Sequence, residues 1–217
     1  MRIEKVLENL YGLLVGWKIT SKDWIFAAQY AQRLLGYGVK VRKGHLNILV
    51  NKSKIPWEVG EERETHPPIS SKYTKQYQSF IKKTGFEFDI LPVSLKEYKN
   101  DVKNTVLFSI SANRKVRVQT PWGNLVKMDK ILSKSTQSGW GEEKGYRVYS
   151  AVKDQWKASL KRKELKLAKA FENLLIKYAS FKKSKTNKTF QNLYEIREIK
   201  GIIASKGKVK GRVNVIS

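Results

Sequence analysis

Basic side chains recur at helical pitch in the last third of the sequence. Arg162, Lys166 and Lys169 fall at positions i, i+4 and i+7, and Lys163 lies beside them. This spacing places cations on one face of a helix, where they can follow a phosphate backbone and release its condensed counterions. Residues 157–188 hold eleven basic and two acidic residues, whereas a solvated helix face normally mixes the two signs. The pattern predicts a phosphate-contacting face, with a merely solvated face as the alternative.

A second group of cations lies at a predicted turn near the N-terminus. Arg42 and Lys43 precede Gly44 between two short alternating segments. A basic hairpin tip beside helices is a common way to touch a nucleic-acid groove, and glycine lets the backbone approach closely. We predict nucleic-acid contact by Arg42 and Lys43; an ordinary surface turn is the alternative.

A third group of cations lies at the turn of a predicted hairpin and at the start of its second strand. Arg114, Lys115 and Arg117 are basic, and Trp140 lies between two glycines in a polar segment. Cations combined with an exposed indole ring suit nucleic acid, because the ring can stack on an unpaired base. These four residues complete the predicted nucleic-acid-binding set.

Carboxylates near a lysine offer the one plausible catalytic arrangement. A metal-dependent nuclease holds Mg²⁺ with acidic side chains, and a nearby lysine assists the developing charge. The candidates for such a site are Asp129, Glu142 and Lys144, with Asp89, Glu97 and Lys99 as an alternative set. The same triplet also arises by chance in a strongly basic chain. No cofactor is predicted apart from Mg²⁺ if the protein is a nuclease, and no metal ligands are assigned.

Composition narrows the class of protein. The 217 residues include 44 Lys+Arg against 19 Asp+Glu, a formal charge of +25, with 41% hydrophobic and 11% aromatic residues. This apolar content is too high for a disordered polycation. The absence of cysteine excludes disulfides and thiolate metal sites. So large a charge excess predicts a polyanionic partner, and lysine outnumbers arginine about threefold, which favours phosphate contacts over base reading.

Hydrophobic periodicity predicts an α+β fold: an N-terminal helix–helix–β-hairpin unit, and a mixed, mainly antiparallel sheet packed on one long basic helix. Proline and glutamate cluster in residues 56–68, which we predict to be an acidic linker between a unit at 1–55 and a domain at 69–217. The long helix is expected over about 147–180, from an apolar stripe at spacings of three, four or seven.

The remaining elements follow from local signals. Helices are expected over 3–15, from a cap at Ser21 to about residue 35, from a cap at Ser71 to Gly85, and in one or two turns over 94–101. Strands are expected at 39–41 and 46–50, at 86–91, at 105–110 and 116–118, and at 125–128.

Two segments resemble known families. Residues 10–18, LYGLLVGWK, resemble the helix motif of LAGLIDADG homing endonucleases, and residues 28–50 are loosely similar to the helix and hairpin that follow it. The resemblance implies a DNA-binding endonuclease, but Trp17 occupies the position of that family's metal-binding acid. Residues 200–215 resemble the entry to the swivelling domain of phosphoenolpyruvate-utilising enzymes, without the histidine that family phosphorylates.

The sequence therefore predicts an intracellular, cytoplasmic nucleic-acid-binding protein that acts through phosphate contacts. DNA is slightly favoured over RNA because a basic helix and a basic hairpin tip suit duplex grooves. The first alternative is a metal-dependent endonuclease of degenerate homing-endonuclease or restriction type. The second is a structural subunit of a ribonucleoprotein or nucleoprotein assembly. No apolar run reaches the length of a membrane helix, so no membrane partner is expected, and no oligomeric state is predicted.

Overall fold

The computed structural model describes residues 2–59, 65–69, 71–137 and 142–179. The chain divides into two compact units, Met1–Lys127 and Met128–Ser217. The helices are α1 (Ile3–Gly16), α2 (Ala28–Leu34), α3 (Lys72–Thr84), α4 (Leu95–Val102), α5 (Pro121–Gln137), α6 (Glu142–Lys161) and α7 (Leu165–Lys177), with a short 3₁₀ helix at Lys52–Lys54. The strands are β1 (Trp24–Ala27), β2 (His45–Asn51), β3 (Glu87–Val93), β4 (Thr105–Ser111) and β5 (Arg114–Gln119).

The five strands form one mixed sheet in the order β3-β2-β1-β5-β4. β2 is antiparallel to β1 and parallel to β3, while β5 is parallel to β1 and antiparallel to β4. The parallel pair of β1 and β5 aligns Ile25 with Arg117. This pairing joins residues about 90 positions apart in the sequence, and it builds the site described below.

The two faces of the sheet are covered differently. One face packs against α1 and α3 in the main core, which includes Leu10, Phe80 and Val116. The other face contributes Ile25 and Leu49 to a smaller cluster with Tyr98 of α4. Successive strand residues point to opposite faces, so Lys115 and Arg117 of β5 lie on the α4 side, opposite to the buried Val116 and Val118.

The predicted α+β class is confirmed, and so are several elements. α3 begins after Ser71, whose hydroxyl accepts a hydrogen bond from Thr74, and ends at Gly85 with a left-handed φ of 71°. α4 begins with a capping box formed by Ser94 and Glu97. The predicted hairpin over 105–118 is the β4–β5 pair.

The predicted helix–helix–hairpin unit is wrong in its second half. Residues 24–27 form β1, and a shorter helix, α2, follows it. All four residues of β1 are buried, so the strand lacks the polar alternation that would distinguish it from a helix. Residues 39–41 form no strand, and β2 pairs with β1 and β3 instead of closing a local hairpin.

The predicted strand at 125–128 is also wrong, because these residues belong to α5. The Pro121-Trp-Gly sequence has the form of a turn, but proline is well suited to the first position of a helix. Gly123 is required by packing: a Cβ there would come within 3.0 Å of the side chains of Asn104 and Gln119.

The single long helix is replaced by two. α6 ends in a Schellman motif in which the N–H of Lys163 donates to the Leu160 carbonyl and the N–H of Glu164 donates to the Ser159 carbonyl. Lys163 takes the left-handed position, with a φ of 60°. The Tyr149 hydroxyl, near the start of α6, donates to the Leu175 carbonyl near the end of α7, so the two helices are antiparallel.

The apolar stripe that predicted the long helix is nevertheless buried. Val152, Trp156 and Phe171 have no exposed surface, and α6 and α7 pack against each other within the second unit. A spacing of seven residues across the turn keeps the stripe in phase, which is why a continuous helix was expected. No helix in the described ranges combines the length and apolar character needed to cross a membrane.

Candidate nucleic-acid interface

Three cations converge on a cavity at one end of the sheet in the first unit. Lys115 and Arg117 come from β5, and Lys22 comes from the segment that precedes β1. The cavity has a volume of about 390 Å³ and is also lined by Asn113 and Leu107. We call this arrangement of Lys22, Lys115 and Arg117 the basic pocket.

The backbone that carries Lys22 is fixed by its neighbours. The hydroxyl of the buried Tyr98 donates to the Lys22 carbonyl over 2.7 Å. Asp23 accepts a hydrogen bond of 3.0 Å from the Thr20 N–H, and its carbonyl accepts one of 3.0 Å from Asn51. The segment is therefore pinned to α4 and β2, while the Lys22 side chain remains exposed.

Electrostatics in the basic pocket favour an anion. Within the described part of the chain, none of the three cations forms an ion pair, and no carboxylate lines the cavity. Burial raises the pKa of Tyr98 to about 12, although the nearby charge of Arg117 acts in the opposite direction. The three cations therefore share a cavity whose lining residues include no carboxylate, while the charges of Asp23 and Asp101 act on the neighbouring Tyr98.

Arg114, which sequence reasoning grouped with Lys115 and Arg117, has a different environment. Its guanidinium lies 3.9 Å from a carboxylate oxygen of Glu8 and 5.5 Å from the centre of the Tyr11 ring. A hydrogen bond from Lys5 is the largest of the effects that lower the pKa of Glu8, so this carboxylate carries its charge. Arg114 therefore ties the start of β5 to α1.

Arg42 and Lys43 are exposed, but they do not form a hairpin tip. They lie in a turn that leads directly into β2, and the N–H of His45 donates to the Arg42 carbonyl. Gly44 has a left-handed φ of 71°, and a Cβ there would lie 3.1 Å from the Gly85 carbonyl oxygen. β2 is antiparallel to β1 and the basic pocket adjoins the start of β1, so this turn lies at the opposite end of the sheet.

The predicted row of cations along the last helix is not formed. Arg162 and Lys163 lie in the turn between α6 and α7, and Arg162 pairs with Glu164 at 2.8 Å. Lys166 and Lys169 are on α7, where Lys169 pairs with the buried Glu172 at 3.2 Å.

The predicted catalytic set is not brought together by any described contact. Asp129 of α5 accepts hydrogen bonds from Lys177 at 2.9 Å and from the Tyr178 hydroxyl at 2.7 Å. Glu142 and Lys144 lie in the first turn of α6, but their side chains, like Trp140, are outside the described residues. Asp129 is thus held in a structural network in the second unit.

Both histidines of the sequence meet one buried carboxylate. His45 Nε2 lies 2.6 Å from one oxygen of Asp89, and His66 Nε2 lies 3.4 Å from the other. Among the described residues, no group of three His, Asp or Glu side chains is arranged to hold a metal ion. The cluster instead attaches the segment around His66 to β3, where Thr65 also bridges to Ile90.

Lys22 is the pocket residue that sequence reasoning missed. Its signal was weak, because a lone lysine before an expected helix resembles many others in this chain. Only the parallel pairing of β1 with β5 brings it to Lys115 and Arg117.

Comparison with known proteins adds no relative: no protein-family model, no curated protein and no solved structure matches the chain.

Proposed function

We propose that this protein binds nucleic acid through its phosphates and that the basic pocket is part of the contact surface. The observation that carries the proposal is the convergence of Lys22, Lys115 and Arg117 without an ion-pair partner among the described residues. Clustered cations without compensating carboxylates attract polyanions, and the formal charge of +25 extends this attraction over the chain.

The proposal is made for nucleic acid in general. The preference for DNA rested on a basic hairpin tip and a continuous basic helix, and neither is found in the described ranges. The nuclease alternative gains no support from Asp129, whose carboxylate is bound by Lys177 and Tyr178. Binding without cleavage is therefore the function to test first.

The test compares two charge-matched variants of the full chain. K115Q/R117Q removes two cations of the basic pocket. K75Q/K82Q removes two exposed lysines from α3, on the opposite side of the sheet. Fluorescence anisotropy with labelled duplex DNA, single-stranded DNA and an RNA hairpin, from about 50 to 200 mM salt, gives the affinity and its salt dependence for each protein.

We expect K115Q/R117Q to bind more weakly than the unmodified protein to each ligand that the unmodified protein binds. Its salt slope should be shallower by about 0.9 per lost contact on duplex DNA and about 0.7 on single strands. K75Q/K82Q should bind nearly as the unmodified protein does. Equal losses in the two variants would remove the pocket from the proposal, and an unmodified protein that binds none of the three ligands would refute it.

A further inference from the structure

The basic pocket lies at one end of the sheet, where the end of a nucleic-acid strand could enter it. Its walls come from the segment before β1, from Tyr11 of α1, from Leu107 of β4 and from the β4–β5 turn, which includes Asn113. Lys115 and Arg117 project from the same face of β5, two residues apart, while Lys22 comes from the segment before the neighbouring strand β1. All three cations therefore line the same cavity, although they come from two separate segments of the chain.

The number of cations suits a phosphomonoester better than a phosphodiester. A terminal phosphate carries a charge of about −1.5 to −2 at pH 7 and offers three free oxygens. A backbone diester carries one charge and offers two. Arg117 is half-buried on a strand, so its guanidinium can present a fixed pair of donors, and the two lysines can reach the remaining oxygen and charge.

The rest of the cavity can receive the attached nucleotide. A volume of about 390 Å³ exceeds that of a phosphate group. Leu107, whose side chain is 61% exposed on the edge strand β4, offers an apolar wall, and Asn113 offers amide donors and acceptors. A sugar or base linked to the phosphate would contact both.

We infer that the basic pocket recognises the phosphorylated end of a nucleic-acid strand, with Lys22, Lys115 and Arg117 on the terminal phosphomonoester. This inference rests on the proposed nucleic-acid binding and specifies the ligand group. A free mononucleotide carries the same phosphate chemistry, so the experiment separates the two sources.

The experiment uses one oligonucleotide sequence with a 5′-phosphate, a 3′-phosphate or hydroxyl ends, measured with the full chain. We expect one phosphorylated form to bind at least about tenfold more tightly than the hydroxyl form, the equivalent of one added hydrogen bond to a charged group. The preference should shrink below about pH 6, where the monoester dianion takes up one proton and becomes a monoanion.

Two variants test the geometry of the pocket. R117Q should lose the preference, and R117K should keep overall affinity while the preference falls, because lysine lacks the paired donors of the guanidinium. K75Q/K82Q should keep it in full. Circular dichroism and thermal unfolding verify that each variant is folded.

The outcomes separate this inference from the proposed function. If the three oligonucleotides bind equally with a steep salt dependence, end recognition is refuted and nucleic-acid binding stands. If none binds, both are refuted. If a nucleoside monophosphate displaces the phosphorylated strand at equal concentration, the ligand is a free nucleotide and the strand-end inference is wrong.

Discussion

One substitution tests whether α6 and α7 are two helices or one continuous helix. The change that it causes in the free energy of unfolding should have opposite signs in the two cases. Lys163 occupies a left-handed position with a φ of 60°, which costs an L-residue with a side chain about 1–2 kcal/mol. Glycine adopts this conformation freely but loses about 0.5–1 kcal/mol more backbone entropy on folding. We therefore expect K163G to raise the free energy of unfolding by about 0.5–1 kcal/mol.

A continuous helix would give the opposite result. Glycine in a helix interior is about 1 kcal/mol less favourable than alanine, and lysine is close to alanine. K169G in the interior of α7 provides this reference, with an added loss because the substitution removes the ion-pair partner of the buried Glu172. K163Q removes the same charge while keeping a side chain in the left-handed position, so it should be nearly neutral.

Urea denaturation and thermal unfolding of the full chain measure the effect. A stabilisation of 1 kcal/mol raises the melting temperature by about 2–4 °C in a chain of this size. K18G gives a second comparison, because Lys18 holds the same left-handed position, with a φ of 62°, after α1. If K163G destabilises the protein as much as K169G does, the turn between α6 and α7 is refuted.

Three further predictions concern buried or hydrogen-bonded side chains. F171A should cost about 3–5 kcal/mol, because the ring is fully buried, and urea unfolding measures this loss. D129N should be less stable than the unmodified protein. Burial raises the pKa of Asp129, but hydrogen bonds from Lys177 and Tyr178 outweigh the effect of burial and lower the pKa overall. The stabilisation by the Asp129 carboxylate is therefore present above about pH 4 and disappears as the pH falls through the folded-state pKa. A loss of stability in D129N that is as large at low pH as at neutral pH would contradict this. Burial raises the pKa of Tyr98 to about 12, so its stabilisation is present below about pH 10 and is lost as the pH rises through the folded-state pKa. Burial also raises the pKa of Tyr77 and of Tyr178, so an ultraviolet titration of tyrosinate should show several late-ionising groups, with one fewer in Y98F.

Elements with local signals could be predicted from the sequence. The cap at Ser71, the glycine at residue 85 and the capping box of Ser94 with Glu97 fix α3 and α4 within a few residues of their positions. The β4–β5 hairpin follows from short-range alternation. In each case, the interactions that form the element lie within or next to it.

Elements defined by tertiary contacts were missed or misassigned. β1 is buried throughout, so its sequence resembles a helix core as much as a strand. The strand expected over 86–91 continues through Pro92 to Val93, because β3 is an edge strand, where the missing N–H of proline is tolerated. The turn at Lys163 lacks the glycine that usually marks a helix end.

The candidate site depends on where the few carboxylates lie. With 44 basic residues, a row of cations is easily found in the sequence, but these cations can bind a ligand only where no carboxylate pairs with them. Glu8 lies near Arg114, and Glu164 and Glu172 pair with Arg162 and Lys169. These partners could be matched only from the fold, except where they are close in sequence.

The same reasoning explains why the pocket could be found only in part. Lys115 and Arg117 were predicted because three basic residues cluster within four positions at a hairpin turn, which is a local property of the sequence. Lys22 joins them through the parallel pairing of Ile25 with Arg117, and Tyr98 of α4 then fixes the Lys22 carbonyl. Lys115 and Arg117 alone form a basic strand, and Lys22 adds a cation from a distant segment of the chain, so that the three residues line one pocket. The affinity of K22Q should therefore fall as much as that of K115Q, although only Lys115 belonged to a recognisable pattern.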